Sequence, residues 1–206
     1  RFNPADHRPH LRRPGTSQTI MLECLEKKSN VPGPAVWLVG GLHGDEPGGQ
    51  AVIRKLFEEL AEVELVKGSL HAFPLVNESG LKKKTRELPE TGEDLNRLFP
   101  GQSDGTLGQK IVHSVWQEIV AIKPTLVFDL HNDWIKSIPY VLIDNEDSAQ
   151  IALTSSLIVV RENPKLLDTL AGTLSLSLVK AGISALTLEL GGAYVVDEKN
   201  VRIGVN

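Results

Sequence analysis

The chain has 206 residues, of which 41% are hydrophobic and 23% are charged, with a formal net charge of −4. This composition supports a folded core, and the acidic balance excludes the basic footprint of a protein that binds a nucleic-acid duplex. Cys24 is the single cysteine, which excludes an internal disulfide and a cysteine-rich zinc cluster and fits the reducing cytoplasm. No apolar run approaches the roughly 20 residues of a membrane span, so we expect a cytoplasmic protein without membrane or nucleic-acid partners.

The predicted elements alternate between strand and helix along the chain. Short apolar runs that end in glycine or polar residues indicate buried strands, and apolar residues that recur every three or four positions indicate helices. Strands are expected at residues 19–24, 35–39, 70–76, 126–130, 140–143, 157–160 and 185–190. Helices are expected at residues 51–60, 111–122 and 165–180. This alternation predicts an α/β fold with a mixed, largely parallel central sheet flanked by helices.

No repeat, low-complexity tract or change of composition divides the sequence, so we expect residues 1–206 to form a single domain. Residues 1–15, where arginines are interspersed with prolines, are expected to be a tail or lead-in. Residues 77–108 contain few apolar positions, and a long loop of this kind in a compact domain is usually functional. We therefore expect part of a site in this loop.

Three predicted strands end in residues that can carry chemistry. The second strand is followed by His43 and Glu46, the fourth by His131, and the last contains Glu189. Ligands of open α/β sheets bind at the carboxyl ends of strands, so these side chains are candidates for one site. Two imidazoles and a carboxylate are the ligands of hydrolytic zinc sites. Taken singly, His43 and Glu46 could instead hydrogen-bond their own turn, and His131 could be a structural histidine.

Two further groups could complete such a site. Glu189 lies in an otherwise apolar strand and suits a general base beside a zinc-bound water, unless the strand is at an edge and turns Glu189 to solvent. In the long loop, Arg97 can hold a substrate carboxylate through two hydrogen bonds, and Asn96 can help to orient it. The same loop residues could also be an ordinary surface turn.

These residues belong to four motifs that follow one another between residues 36 and 192, about three-quarters of the chain. The motifs are His43-Gly44-Asp45-Glu46, Asp94-Leu95-Asn96-Arg97 with Phe99-Pro100-Gly101, Asp129-Leu130-His131-Asn132, and Leu188-Glu189-Leu190-Gly191. Together they resemble the motifs of the succinylglutamate desuccinylase and aspartoacylase family, in the wider zinc carboxypeptidase clan. The resemblance implies the zinc carboxypeptidase-like three-layer sandwich. Members of the family often carry a further β-rich C-terminal domain, which we do not expect within this chain.

The resemblance also implies a role for each site residue. One Zn²⁺ per chain would be bound by His43, Glu46 and His131. Glu189 would be the general base and Arg86 the arginine that polarises the scissile carbonyl. Asn96 and Arg97 would contact the substrate carboxylate.

The activity implied by the resemblance is hydrolysis of the amide bond of a small N-acyl amino acid by metal-activated water. The bond cleaved is a linear carbon–nitrogen bond other than a peptide bond. Two other functions stay open. One is a metallocarboxypeptidase that acts on peptides, and the other is a non-catalytic zinc-binding module.

Overall fold

The computed structural model describes residues 20–143, 146–161, 163, 165 and 170–206. Its strands are β1 Leu25–Lys28, β2 Ala35–Gly40, β3 Ser69–Phe73, β4 Leu126–Asp133, β5 Pro139–Ile143, β6 Ile158–Arg161 and β7 Ala185–Gly192. Its helices are α1 Gly48–Glu59, α2 Glu78–Lys83, α3 Leu107–Ile122, α4 Glu146–Ala152, α5 Leu174–Lys180 and α6 Glu198–Val205. A 3₁₀ helix covers Leu95–Arg97.

The strands form one sheet in the order β1-β3-β2-β4-β7-β5-β6. Strands β3, β2, β4 and β7 run parallel, whereas β1 is antiparallel to β3 and β5 is antiparallel to β7. The predicted mixed, largely parallel sheet is confirmed. Because β7 pairs with β4 on one side and β5 on the other, Glu189 lies on an internal strand, and the edge-strand alternative is wrong.

Helices cover both faces of the sheet. Trp37 and Val39 of β2 belong to an apolar cluster that includes residues of α3 and α5. Leu38 points to the opposite face, as alternation along a strand requires, and belongs to a second cluster with residues of α1 and α4. Residues of α6 pack against that second cluster. The sheet therefore lies between two helical layers, which confirms the three-layer sandwich.

The first predicted strand is wrong in position. The structure has β1 at Leu25–Lys28, and residues 20–24 have no regular secondary structure. The apolar side chains of Ile20 and Leu22 pack against the α3 side of the core, while Leu25 is the first residue to pair with β3. Alternating apolar residues thus pack against the core here without joining the ladder.

The predicted helix at residues 165–180 is shorter in the structure, where α5 begins at Leu174. Gly172 has φ +84°, a backbone conformation that a continuous helix cannot contain. Residues 166–169 and the predicted tail at residues 1–15 lie outside the described residues. The other predicted elements agree with the structure to within about four residues at each end.

The segment at residues 77–108 is more ordered than the sequence predicts. It contains α2 and the 3₁₀ helix, and it buries Leu88, Leu95 and Phe99 in the core. This anchoring fixes the polar residues between them over the carboxyl edge of the sheet. No helix in the described part of the chain is both long and apolar enough to cross a membrane.

Candidate active site

Three neighbouring parallel strands end at one edge of the sheet and bring the predicted site residues together. β4 lies between β2 and β7. The turn after β2 carries His43 and Glu46, and His131 near the end of β4 is in register with Glu189 of β7. The four side chains therefore line one cavity, although His131 and Glu189 lie far from His43 and Glu46 in the sequence.

His43, Glu46 and His131 form a buried cluster, which we call the triad. Nδ1 of His43 lies 2.8 Å from Oε1 of Glu46, and Nδ1 of His131 lies 2.8 Å from Oε2 of the same carboxylate. The two Nδ1 atoms are 3.2 Å apart. The ligand atoms of the triad all lie within 4.8 Å of one another. Two imidazole nitrogens and a carboxylate directed at one point could hold a divalent metal ion.

Each imidazole of the triad faces a second carboxylate on its outer side. Nε2 of His43 lies 3.1 Å from Oδ1 of Asp94, and Nε2 of His131 lies 3.0 Å from Oδ1 of Asp129. At His43 this carboxylate favours a proton on Nε2 and leaves the lone pair on Nδ1, which faces the centre of the triad. This arrangement is typical of histidines that bind metals through Nδ1.

The triad is strongly coupled electrostatically. Burial raises the pKa of Glu46, but the charges of His131 and His43 and their hydrogen bonds outweigh it and hold this pKa below its usual range. Burial lowers the pKa of His131, but Asp129 and Glu46 more than offset it and raise this pKa well above its ordinary value. The opposite charges of the triad thus stabilise one another, and a bound cation would stabilise the same carboxylates.

Glu189 of β7 pairs in register with His131 of β4. One of its oxygens, Oε2, is buried and has no hydrogen-bond partner among the described residues. Burial raises the pKa of Glu189 to about 7, which the positive charge of His131 opposes and the charges of Glu46 and Asp133 reinforce. A carboxylate with this pKa can both accept and return a proton near neutral pH.

Arg86 reaches the triad from the segment after α2. Its Nε donates to Oδ2 of Asp94 at 3.1 Å, and one of its terminal nitrogens lies 3.4 Å from Oε1 of Glu46. Arg86 also lines the cavity beside the triad. The structure therefore places a guanidinium next to the candidate metal ligands.

Asn96 and Arg97 also line this cavity, but Asn96 is buried whereas Arg97 is exposed. Oδ1 of Asn96 accepts the backbone N–H of Leu174 at 2.7 Å, and its Nδ2 lies 3.1 Å from Nε2 of His131. Asn96 is buried and is held against the triad. Arg97 is exposed and donates to the backbone carbonyl of Asn96, so it is the more accessible group for a substrate.

Asn132 is a site residue whose role the sequence analysis missed, although it lies inside a quoted motif. Its backbone N–H donates to Oε2 of Glu46 at 3.0 Å. Its side chain accepts the backbone N–H of Gly48 at 2.7 Å and donates to the carbonyl of Gly192 at 3.1 Å. Asn132 therefore joins the start of α1, the end of β4 and the end of β7 around the triad. The sequence signal that could have found Asn132 is its place as a polar residue directly after the candidate ligand His131.

The triad, Glu189, Arg86, Asn96 and Arg97 all line one cavity of about 590 Å³. Trp134, Ile135 and Tyr194 also line it, at the ends of β4 and β7. A larger groove of about 720 Å³ elsewhere contains none of the predicted site residues. The chemistry therefore points to the smaller cavity as the candidate active site.

A sequence model of the succinylglutamate desuccinylase/aspartoacylase catalytic domain matches residues 32–205. The chain belongs to the succinylglutamate desuccinylase/aspartoacylase family. All of the predicted site residues lie within the matched region. The resemblance seen in the four motifs is therefore confirmed.

Two individual relatives agree with this family assignment. An N-alpha-acetyl-L-2,4-diaminobutyric acid deacetylase from Halomonas elongata is 36% identical over 100 residues, which is 48% of this chain and 29% of that protein. A succinylglutamate desuccinylase/aspartoacylase structure from Rhodobacter sphaeroides is 27% identical with a TM-score of 0.73, over 90% of this chain and 56% of that one. The matches thus cover 56% of the length of the Rhodobacter sphaeroides chain and 29% of the length of the Halomonas elongata protein.

A metallo-carboxypeptidase structure from Burkholderia cenocepacia shares the fold. It is 17% identical with a TM-score of 0.71, and the match covers 89% of this chain and 58% of that one. At this identity the likeness shows the architecture alone. It agrees with the carboxypeptidase-like sandwich that the sequence predicts.

Proposed function

We propose that this chain is a zinc-dependent hydrolase that cleaves the amide bond of an N-acyl amino acid. The observation that carries the proposal is the position of Glu189, whose buried, unpartnered Oε2 lies in the same cavity as the triad. A structural metal site needs no such base, and this favours an enzyme over a zinc-binding module. The deacetylase name of the curated relative supports the same reaction class.

The donor set of the triad fits zinc, because two imidazole nitrogens and one carboxylate leave a fourth position open. We infer one ion per chain, bound by His43, Glu46 and His131. When bound, zinc supplies a Lewis acid and lowers the pKa of its water toward about 7.

The residues around the triad would divide the remaining work. Asp94 orients the imidazole of His43 through Nε2, and Asp129 places a second carboxylate 3.0 Å from Nε2 of His131. Glu189 accepts a proton from the attacking water and returns it to the leaving amine. Arg86 stabilises the negative charge that develops on the carbonyl oxygen. Arg97 binds the substrate carboxylate, and the backbone carbonyl of Asn96 holds the Arg97 guanidinium in place.

The test is amine release by the zinc-loaded chain from a panel of N-acetyl and N-succinyl amino acids and short peptides. We expect hydrolysis of at least one N-acyl amino acid and none of the peptides at a comparable rate. Preferential peptide cleavage would favour a metallocarboxypeptidase instead. Background rates across the whole panel with full zinc occupancy would favour the binding module.

A further inference from the structure

One part of the cavity wall is formed by side chains that carry no ionisable group. Leu170 and Thr173 come from the segment before α5, and Ser175 comes from its first turn. Leu142 of β5 and Thr187 of β7 complete this part of the wall. We call these five residues the neutral compartment. Its position relative to the proposed catalytic groups decides which part of a substrate it contacts.

The neutral compartment adjoins Arg97. The backbone N–H of Leu174 donates to Oδ1 of Asn96 at 2.7 Å, and the N–H of Phe99 donates to the carbonyl of Gly172 at 3.0 Å. A Cβ atom at Gly172 would lie 2.2 Å from the carbonyl oxygen of Arg97. The segment before α5 is therefore packed directly against the 3₁₀ helix that carries Arg97.

The sheet forms the opposite wall of the neutral compartment. Thr187 precedes Glu189 by two residues on β7, so the two side chains lie on the same face of the sheet. Leu142 is in register with Thr187, and Val160 of β6 is in register with Leu142. From β7 to the edge strand β6, this row of the sheet is therefore apolar apart from the Thr187 hydroxyl.

Two carboxylates of β4 flank the neutral compartment without belonging to it. Asp133 pairs with β7 three residues beyond Glu189, whereas Thr187 lies two residues before Glu189. Asp129 is in register with Thr187, but it is 1% exposed and lies 3.0 Å from Nε2 of His131. Asp129 therefore balances an imidazole and does not line the cavity.

The charged groups beside the neutral compartment already act elsewhere in the proposed reaction. Arg97 binds the substrate carboxylate, and Glu189 accepts the proton of the attacking water. The positive charge of the ion inferred at the triad is directed at the scissile carbonyl. A charged side chain of the substrate would therefore enter the compartment without a counter-ion among the described residues, and burial of an unpaired charge is costly.

The geometry of an N-acyl amino acid determines which of its groups lies beside Arg97. The α-carbon carries the carboxylate, the nitrogen of the scissile amide and the side chain, whereas the acyl group lies beyond the scissile bond. When the carboxylate is at Arg97 and the amide is at the triad, the side chain must also lie close to Arg97. The neutral compartment is the part of the wall that adjoins this position.

We propose that the neutral compartment binds the side chain of the amino acid, and that the substrates are N-acyl amino acids with an uncharged, aliphatic side chain. The inference rests on the proposed function, because it uses Arg97 and the triad to place the substrate. It names the amino acids that the hydrolase releases, and acidic and basic amino acids are disfavoured. Leu142 and Leu170 determine this preference.

The experiment compares four amino acids with side chains of similar length and different charge. Turnover of N-acetyl-L-methionine, N-acetyl-L-glutamine, N-acetyl-L-glutamate and N-acetyl-L-ornithine is measured with the full zinc-loaded chain. Binding of the four free amino acids is measured separately by calorimetry, which does not require catalysis. We expect methionine to exceed glutamate and ornithine by at least about tenfold in kcat/KM and in affinity, because the charged side chains lose hydration without gaining a counter-ion. Glutamine should lie between them.

Two variants locate the selectivity. Leu170→Lys places a cation in the neutral compartment and should reduce the methionine-to-glutamate ratio by about tenfold. Leu142→Ala removes apolar surface and should reduce the methionine-to-glutamine ratio by a smaller factor. Leu153→Lys makes the first substitution at a position that is 67% exposed and outside the cavity, and it serves as the matched control. Thermal melting shows whether each variant is folded.

The outcomes separate this inference from the proposed function. Hydrolysis that favours glutamate or ornithine, or treats all four substrates alike, would overturn the aliphatic preference and leave the hydrolase intact. Selective binding of methionine without hydrolysis of any substrate would support the aliphatic preference and overturn the proposed function. Equal binding of the four amino acids, no binding at millimolar concentration, or ratios unchanged in the folded variants would also overturn the aliphatic preference.

Discussion

Nε2 of His43 lies 3.1 Å from Oδ1 of Asp94, 51 positions further along the chain. This contact joins the turn after β2 to the 3₁₀ helix in the segment at residues 77–108. Asp94 also receives Nε of Arg86 at 3.1 Å and the backbone N–H of Asn96 at 2.9 Å. One carboxylate thus orients a candidate metal ligand and holds two further residues of the cavity.

Replacement of this carboxylate should weaken metal binding. We expect Asp94→Asn to reduce zinc affinity by about 10- to 100-fold, because a neutral amide orients the His43 ring less strongly. Asp129→Asn should act in the same direction through His131. A competition titration with a chromophoric chelator measures the affinity. The exposed Asp104→Asn is the control, and equal affinities in all four proteins would contradict the assigned roles.

Replacement of Glu189 should separate metal binding from turnover. We expect Glu189→Gln to lower kcat by roughly 10²- to 10⁴-fold, because the amide cannot accept the proton of the attacking water. Zinc content should match that of the wild type, since Glu189 is outside the triad. Amine release and metal analysis on the same sample measure both properties. Full turnover in Glu189→Gln with zinc bound would show that another group is the base, and Glu198→Gln on α6 controls for loss of charge.

Replacement of Arg97 should act mainly on substrate binding. We expect Arg97→Ala to raise KM by about 10- to 100-fold with a smaller effect on kcat, because the lost interaction is with the unreacting carboxylate. Arg97→Lys should restore only part of it, since an ammonium lacks the paired N–H geometry of guanidinium. Steady-state kinetics provide the comparison. An unchanged KM, as expected for the exposed Arg202→Ala on α6, would remove Arg97 from the substrate site.

The contact between Asn132 and Gly48 should stabilise the fold around the triad. We expect Asn132→Ala to lower the free energy of unfolding by about 1–3 kcal/mol, because it leaves the buried N–H of Gly48 without its acceptor. Gly48→Ala should also destabilise, since the added Cβ would lie 2.5 Å from Oδ1 of Asn132. Urea unfolding measures both variants. Wild-type stability in both would show that this contact contributes nothing.

His71 predicts a loss of stability in acid. Burial lowers its pKa below the ordinary value of 6.5, against the opposing charge of Glu26. Near that pH the unfolded chain therefore binds a proton at His71 more readily than the folded chain does. The free energy of unfolding should then fall as the pH drops below it. We expect a shallower fall between pH 7 and pH 5 in His71→Phe, which can still stack on Trp37. Equal slopes in the two proteins would contradict this role for His71.

The sequence predicted where the strand-end residues lie better than it predicted which residues they contact. His43, His131 and Glu189 follow or lie in apolar runs, and parallel neighbouring strands must end at one edge of a sheet, so their meeting could be anticipated. The contacts of Asp94 with His43 and of Asn96 with Leu174 join distant segments. Such contacts depend on how the segment at residues 77–108 packs, which periodicity does not encode.

The other differences between the sequence predictions and the structure also arise from long-range packing or from unusual backbone geometry. The apolar residues Ile20 and Leu22 predicted a strand but contact the core without pairing, because pairing depends on the partner β3. Tyr194 lines the cavity with a φ of +67°, a conformation that sequence propensities disfavour. Residues that depend on long-range packing or on unusual backbone geometry were therefore found only in the structure.

Metal-dependent amine release from N-acyl amino acids tests the central claim most directly. The wild-type chain and His43→Ala are assayed with N-acetyl amino acids after chelation and again after addition of one equivalent of zinc. We expect the wild type to lose activity on chelation and to recover it with zinc, while His43→Ala stays inactive and binds little metal. Amine release that survives chelation, or equal activity in His43→Ala, would contradict a zinc-dependent hydrolase built on His43, Glu46 and His131.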